Sequence, residues 1–156
     1  MSTNSELKEK IKKHSDILAK LGMNLAKNQF SYKVEKKKSK EYWLERITEV
    51  KKYNERGLEY YNEIHSMMNV INKEESQMFL LRIGKFHQLG SELIEIMEKI
   101  KENPTISDSK DTQKSQWSKG IGEKLTEQSD KCLQFERDMN STFREFYEKY
   151  IKEILE

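Results

Sequence analysis

Three histidines (His14, His65 and His87) and one cysteine (Cys132) are the first residues to test for chemistry, because imidazole and thiolate serve as metal ligands, bases and nucleophiles. A di-metal site in a helical bundle takes a Glu-x-x-His pair from each of two helices, which puts both ligands on one inner face. Three residues before the histidines stand Ile11, Asn62 and Gly84, none of them a ligand. No His-x-x-x-His pair occurs, and Cys132 has no second cysteine with which to share a zinc ion. Cys132 falls on an apolar stripe between Gln128 and Phe135, the setting of a small buried hydrophobe rather than of an activated thiol. There is no Gly-x-Ser-x-Gly elbow to hold a nucleophilic serine. Lys119-Gly-Ile-Gly-Glu-Lys124 sets two glycines close together but fits neither the dinucleotide fingerprint nor the P-loop, and no strand precedes it. We therefore expect no catalytic residue, no metal and no cofactor, and a protein that is not an enzyme.

Two other groupings could bind a partner. Lys33, Lys36, Lys37, Lys38 and Lys40 form a basic patch flanked by Tyr32, Tyr42 and Trp43. Lysines neutralise phosphate and aromatic rings stack on bases, so the patch suits nucleic acid or an anionic membrane. Against this, no arginine precedes Arg46, and arginine is the usual reader of base edges. Residues 1–40 carry eleven lysines against four acids, while residues 41–156 carry eighteen basic against twenty-three acidic groups. The simpler reading lays a basic N-terminal helix beside acidic ones. The second grouping is aromatic. Phe143, Phe146, Tyr147 and Tyr150 cover a broader arc of one helix than a narrow seam needs, and aromatic residues are enriched at protein interfaces. With Trp43 and Trp117 they are the candidate partner-binding residues. The alternative is that they fill the thick end of a core.

The elements that must position these residues follow from spacing. Of 156 residues, 36% are charged and 35% hydrophobic, with one proline and six glycines. So few turn formers argue against a sandwich or a loop-rich enzyme fold. Leu7, Ile11, His14, Leu18, Leu21, Leu25, Asn28 and Tyr32 recur at alternating steps of four and three, which is one face of a helix, and Ile17, Met23, Phe30 and Val34 widen it. Ser39 is placed to cap a second helix whose stripe runs Trp43, Ile47, Val50, Asn54, Gly57, Tyr61, Ile64, Met68 and Ile71. Asn72 to Glu75 reads as a capping box, either opening a third helix or lying within a longer one. The next stripe is Met78 or Phe79, Ile83, Phe86, Leu89 or Gly90, Leu93, Ile96 and Ile100. Asn103-Pro104 ends it, and residues 103–112 are expected to form a flexible loop. A last stripe joins Trp117, Ile121, Leu125, Gln128, Cys132, Phe135, Met139, Thr142, Phe146 and Tyr150, with Gly120 and Gly122 weakening its start.

These segments predict an all-α fold: a single domain over residues 1–156, built as an elongated, coiled-coil-like antiparallel bundle of three or four long amphipathic helices. No apolar run exceeds the four residues Met78 to Leu81, no leader-like apolar stretch opens the chain, and one cysteine permits no internal disulfide. A cytoplasmic location is the expectation. In its Lys/Glu-rich, cysteine-poor helical composition the chain loosely resembles the small helical-hairpin proteins of type VII secretion systems and the helpers that pair with their substrates. Their signature is Trp-x-Gly at the hairpin turn. Here Trp117-Ser-Lys-Gly120 is one residue longer and lies beyond the break. The resemblance implies a helper for a helical secretion substrate. The residues themselves imply an interaction module, an adaptor or chaperone, whose partner is a helical protein or a second copy. The alternative is electrostatic binding through Lys33 to Lys40.

Overall fold

The computed structural model describes residues 3–26, 40–102 and 112–156, with side chains described for 5–26, 40–102 and 123–156. It is an all-α four-helix bundle. Helix α1 is Thr3–Ala26, α2 Lys40–Ile71, α3 Lys73–Glu102 and α4 Thr112–Phe146; a π-helical turn, Tyr147–Ile151, and a short α5, Lys152–Leu155, continue the last helix. Of the region expected to form a loop, residues 103–111 lie outside the described residues, as do the proposed cap Ser39 and Lys33 to Lys38. Helix α4 begins at Thr112, earlier than Gly120 and Gly122 suggest.

Contacts fix the directions. Gly57 faces Phe86 and Asn54 faces Gly90, so α2 and α3 run antiparallel. His14 meets Glu63 at 2.5 Å, and Arg56 Nη1 donates to the Asn24 carbonyl at 2.9 Å, so α1 runs antiparallel to α2. Gln128 Nε2 donates to the Leu89 carbonyl at 2.9 Å and Arg82 Nη1 to Thr142 Oγ1 at 3.3 Å, which makes α4 antiparallel to α3. At 1.5 Å per residue α2 is about 48 Å long and the described α1 about 36 Å. As a result α1 flanks only the C-terminal part of α2.

The amphipathic stripes bury as their spacing requires. One apolar cluster joins α1, α2, α3 and α4 around Ile11, Tyr61, Ile64, Phe79, Phe86, Met139 and Phe146. A second, at the other end, packs Tyr42, Trp43, Ile47 and Val50 of α2 against Leu93, Met97 and Ile100 of α3, with Leu125 and Cys132 of α4 alongside. Three expectations need correction. Ile17 and Met23 do not widen the α1 stripe but are exposed, because α2 alone covers that helix along much of its length. In α3, Met97 rather than Ile96 takes the fully buried position. After Phe146 the core position passes to Ile151 and not to Tyr150, because the wider π turn brings residues five apart onto one face.

The corner between α2 and α3 is a single residue. Asn72 N donates to the Met68 carbonyl at 2.7 Å and ends α2, while Asn72 Oδ1 accepts from Glu75 N at 3.1 Å and caps α3. Only half of the capping box forms, since the Asn72 N–H is already engaged. Ser76, fully buried beneath the corner, donates to Asn69 Oδ1 and to the Lys73 carbonyl.

Two glycines let α2 and α3 approach. A Cβ on Gly57 would lie 2.7 Å from Phe86 Cζ, and one on Gly90 would lie 2.4 Å from Asn54 Nδ2. Gly84 has nothing within 4 Å of such an atom. Alanine is about 1 kcal/mol better than glycine inside a helix, whereas forcing a methyl into a packed site costs about 1–3 kcal/mol. Gly84→Ala should therefore raise Tm by about 2–4 °C, and Gly57→Ala should lower it. Thermal denaturation followed by circular dichroism checks both, and a rise in each variant would refute the close-approach argument.

Candidate functional site

Helix α4 presents two adjacent stripes. The first, Gln128, Cys132, Phe135, Met139, Thr142 and Phe146, turns toward α3 and the core. The second lies one residue, or about 100°, further round: Ser129, Leu133, Glu136, Asn140, Phe143 and Tyr147. Its steps of four, three, four, three and four are those of a coiled-coil seam. These six residues form one wall of a groove of about 900 Å³. Gly22, Leu25 and Ala26 of α1 form the opposite rim, and Tyr53, Tyr60 and Tyr61 of α2 form the floor. The groove exists because α1 packs on α2 and meets the C-terminal end of the chain at α5, leaving space between α1 and α4 along the rest of its length.

Polar groups on the floor are paired between α2 and α4. Tyr53 Oη donates a short hydrogen bond to Glu136 Oε2, and Tyr61 Oη donates to Asn140 Oδ1 at 2.9 Å. Burial raises the Glu136 carboxyl above the ordinary carboxylate value, with the Tyr53 hydrogen bond and Arg137 pulling the other way. Burial, then the Glu136 charge, pushes the Tyr53 phenol far above its usual value. Burial likewise raises Tyr60. Nearby, burial followed by the charges of Glu92 and Glu136 pushes the Cys132 thiol up to about 11, a setting in which the reactive thiolate is scarce at neutral pH.

The sequence-predicted residues separate cleanly. Phe143 and Tyr147 line the groove, half-buried and edge-to-face at 6.4 Å between ring centroids. Phe146 is 4% exposed and belongs to the core, with the Tyr150 ring tilted against it at 4.8 Å between centroids and its hydroxyl accepting from Asn72 Nδ2 at 3.3 Å. Trp43 is 1% exposed in the second cluster, edge-on to Tyr42, and as folded offers no surface to a partner. Trp117 is carried on α4, but its side chain lies outside the described residues. Lys40, the first residue of α2, is exposed; Lys33, Lys36, Lys37 and Lys38 lie outside the described residues. Tyr53, Leu133, Glu136 and Asn140 are groove residues that the sequence reading does not single out; Leu133, an apolar residue one position off the Cys132 stripe, is the signal the sequence offers.

Among the described residues no group of three His, Cys, Asp or Glu side chains could hold a metal ion, and no helix is long and apolar enough to cross a membrane. Comparison with family models, with curated proteins and with solved structures gives no match.

A carboxyl whose pKa is raised on folding binds its proton more tightly folded than unfolded. Its contribution therefore favours the folded state at acid pH and is lost as pH rises from the ordinary carboxylate range through the raised value. Glu136→Gln keeps an acceptor for Tyr53 and cannot ionise. Its Tm should exceed that of the native chain near pH 7, with the gap closing toward about pH 4. Melts across that range decide it; a gap independent of pH would mean that Glu136 is not desolvated by the fold.

Proposed function

We propose that the protein is a non-enzymatic helical interaction module, an adaptor or chaperone, that receives a helical partner along the groove between α1 and α4. One observation carries this reading: the stripe from Ser129 to Tyr147 has seam spacing and lines an open groove, meeting α2 at the floor through Tyr53 and Tyr61 while no described helix fills the groove itself. From Ser129 to Tyr147 the wall is about 27 Å long at 1.5 Å per residue. That is five turns of helix, too extended for a compact small-molecule pocket and matched to an amphipathic helix laid into it. Leu25, Leu133, Phe143 and Tyr147 supply the apolar area, and the tyrosine floor supplies rigid, amphipathic contact. Catalysis finds less support, since burial raises the thiol at hand to about 11 and the Tyr53 and Tyr61 hydroxyls are engaged in holding α2 to α4.

Interface and core roles make opposite predictions for neighbouring aromatics. Phe143→Ala and Tyr147→Ala should each weaken partner binding by about 10-fold, in line with about 1–2 kcal/mol for a buried interface ring, and should leave Tm within a few degrees. Phe146→Ala should instead cost about 3–5 kcal/mol of stability. The measurement is affinity capture from the native lysate at high salt with each variant, alongside thermal melts. A captured protein retained undiminished by the Phe143 and Tyr147 variants would overturn the groove as its site. Capture of nucleic acid or lipid that vanishes with salt would transfer the function to the Lys33 to Lys40 patch.

A further inference from the structure

Resting on the groove reading above, we infer that the helix received there carries a lysine or arginine at the seam position that meets Glu136. The argument begins with position. Glu136 is the third of six seam residues, with Leu133 before it and Asn140 after, and is the carboxylate on the groove wall. Tyr53 Oη donates to its Oε2. No described residue hydrogen-bonds Oε1, and no described cation forms an ion pair with the carboxylate within 4.0 Å. The opposite rim, Gly22, Leu25 and Ala26, offers neither a cation nor a side-chain donor. Arg137, the next residue, is exposed and acts on the carboxyl only from beyond ion-pair distance, and Arg144, the groove's own basic residue, stands eight positions along α4, about 12 Å at 1.5 Å per residue.

In the open groove water solvates Oε1. A helix laid along the seam removes that water, and a carboxylate buried without a counter-charge is strongly unfavourable. An apolar partner residue would leave it unmatched, and an acidic one would add repulsion. A lysine or arginine restores the lost solvation with a charge-assisted hydrogen bond, while its aliphatic stem packs on Leu133 and the tyrosine rings. One charged position within an apolar seam also fixes axial register and excludes other partners, as polar seam residues do in coiled coils. Arg144 reinforces the selection, because a basic partner residue displaced toward it meets a like charge.

The test uses the full chain and three synthetic 21-residue helical peptides with leucine seams, identical except for Lys, Leu or Glu at the central seam position. Fluorescence anisotropy is measured at peptide concentrations where each is monomeric. The Lys peptide should bind the native chain at least 10-fold more tightly than the Glu peptide. Glu136→Gln should abolish that preference while keeping affinity for the Leu peptide, and Glu136→Lys should reverse it. Thermal melts confirm that each variant is folded, and Glu136→Gln alone decides the matter if Glu136→Lys is not. Equal binding of the Lys and Glu peptides, or a preference that persists in Glu136→Gln, overturns the charge inference and leaves the groove standing. Failure of all three peptides to bind overturns the groove reading, and the charge inference falls with it.

Discussion

The close approach of α2 and α3 is the constraint on which the rest of the bundle depends. Two positions without side chains, Gly57 and Gly90, admit the Phe86 ring and the Asn54 amide between backbones that would otherwise be held apart. Tyr61 then sits edge-on to Phe86 at 5.1 Å and Phe79 at 6.2 Å, so the hairpin brings its own aromatic cluster to the interface with the other helices. Helices α1 and α4 are added to a surface already shaped by that pair. Because α1 packs on α2 and α4 on α3, the two added helices need not meet along their length. The groove is the space that results.

Helix α4 is held in register by polar contacts more than by apolar ones. Gln128 donates to the Leu89 carbonyl and, at 3.2 Å, to Glu92; Asn140 accepts from Tyr61; Thr142 accepts from Arg82. Each pairs a specific residue of α4 with a specific residue of α2 or α3, and a shift of one turn would break all of them. Leaving such groups buried without partners is costly, which makes them strong selectors of register even where their net contribution to stability is small.

The part of this arrangement legible in the sequence is the part governed by helical period. The α2 stripe from Trp43 to Met68 is buried almost residue for residue, whereas the described α4 stripe alternates buried Gln128, Met139 and Phe146 with half-buried Leu125, Cys132, Phe135 and Thr142. What period cannot show is which helix covers which face. Ile17 and Met23 look like core residues and are exposed because no described helix lies over them. The second stripe of α4 was obscured for the opposite reason: Ser129, Glu136 and Asn140 interrupt its apolar pattern, and their roles depend on Tyr53 and Tyr61, about eighty positions away. The broad arc of Phe143 and Tyr147 was visible, yet the neighbouring Phe146 and Tyr150, equally aromatic, turn into the core and against Asn72. Helical period already sets Phe146 apart from Phe143; what it does not show is the π turn after Phe146, which passes the core position to Ile151.

The one-residue corner at Asn72 also sets the order in which the molecule can assemble. Contacts around it close very short loops: Asn69 and Ser76 are seven residues apart, and later α2–α3 pairs extend the zipper outward. The ties that place α4 on α2 close loops of 79 and 83 residues and bear a larger chain-closure entropy before they return any contact. Loop-closure entropy thus favours the contacts of the α2–α3 hairpin over the longer-range ties of α4 to α2. The groove lies beside the ties of longest sequence separation, those between α2 and α4.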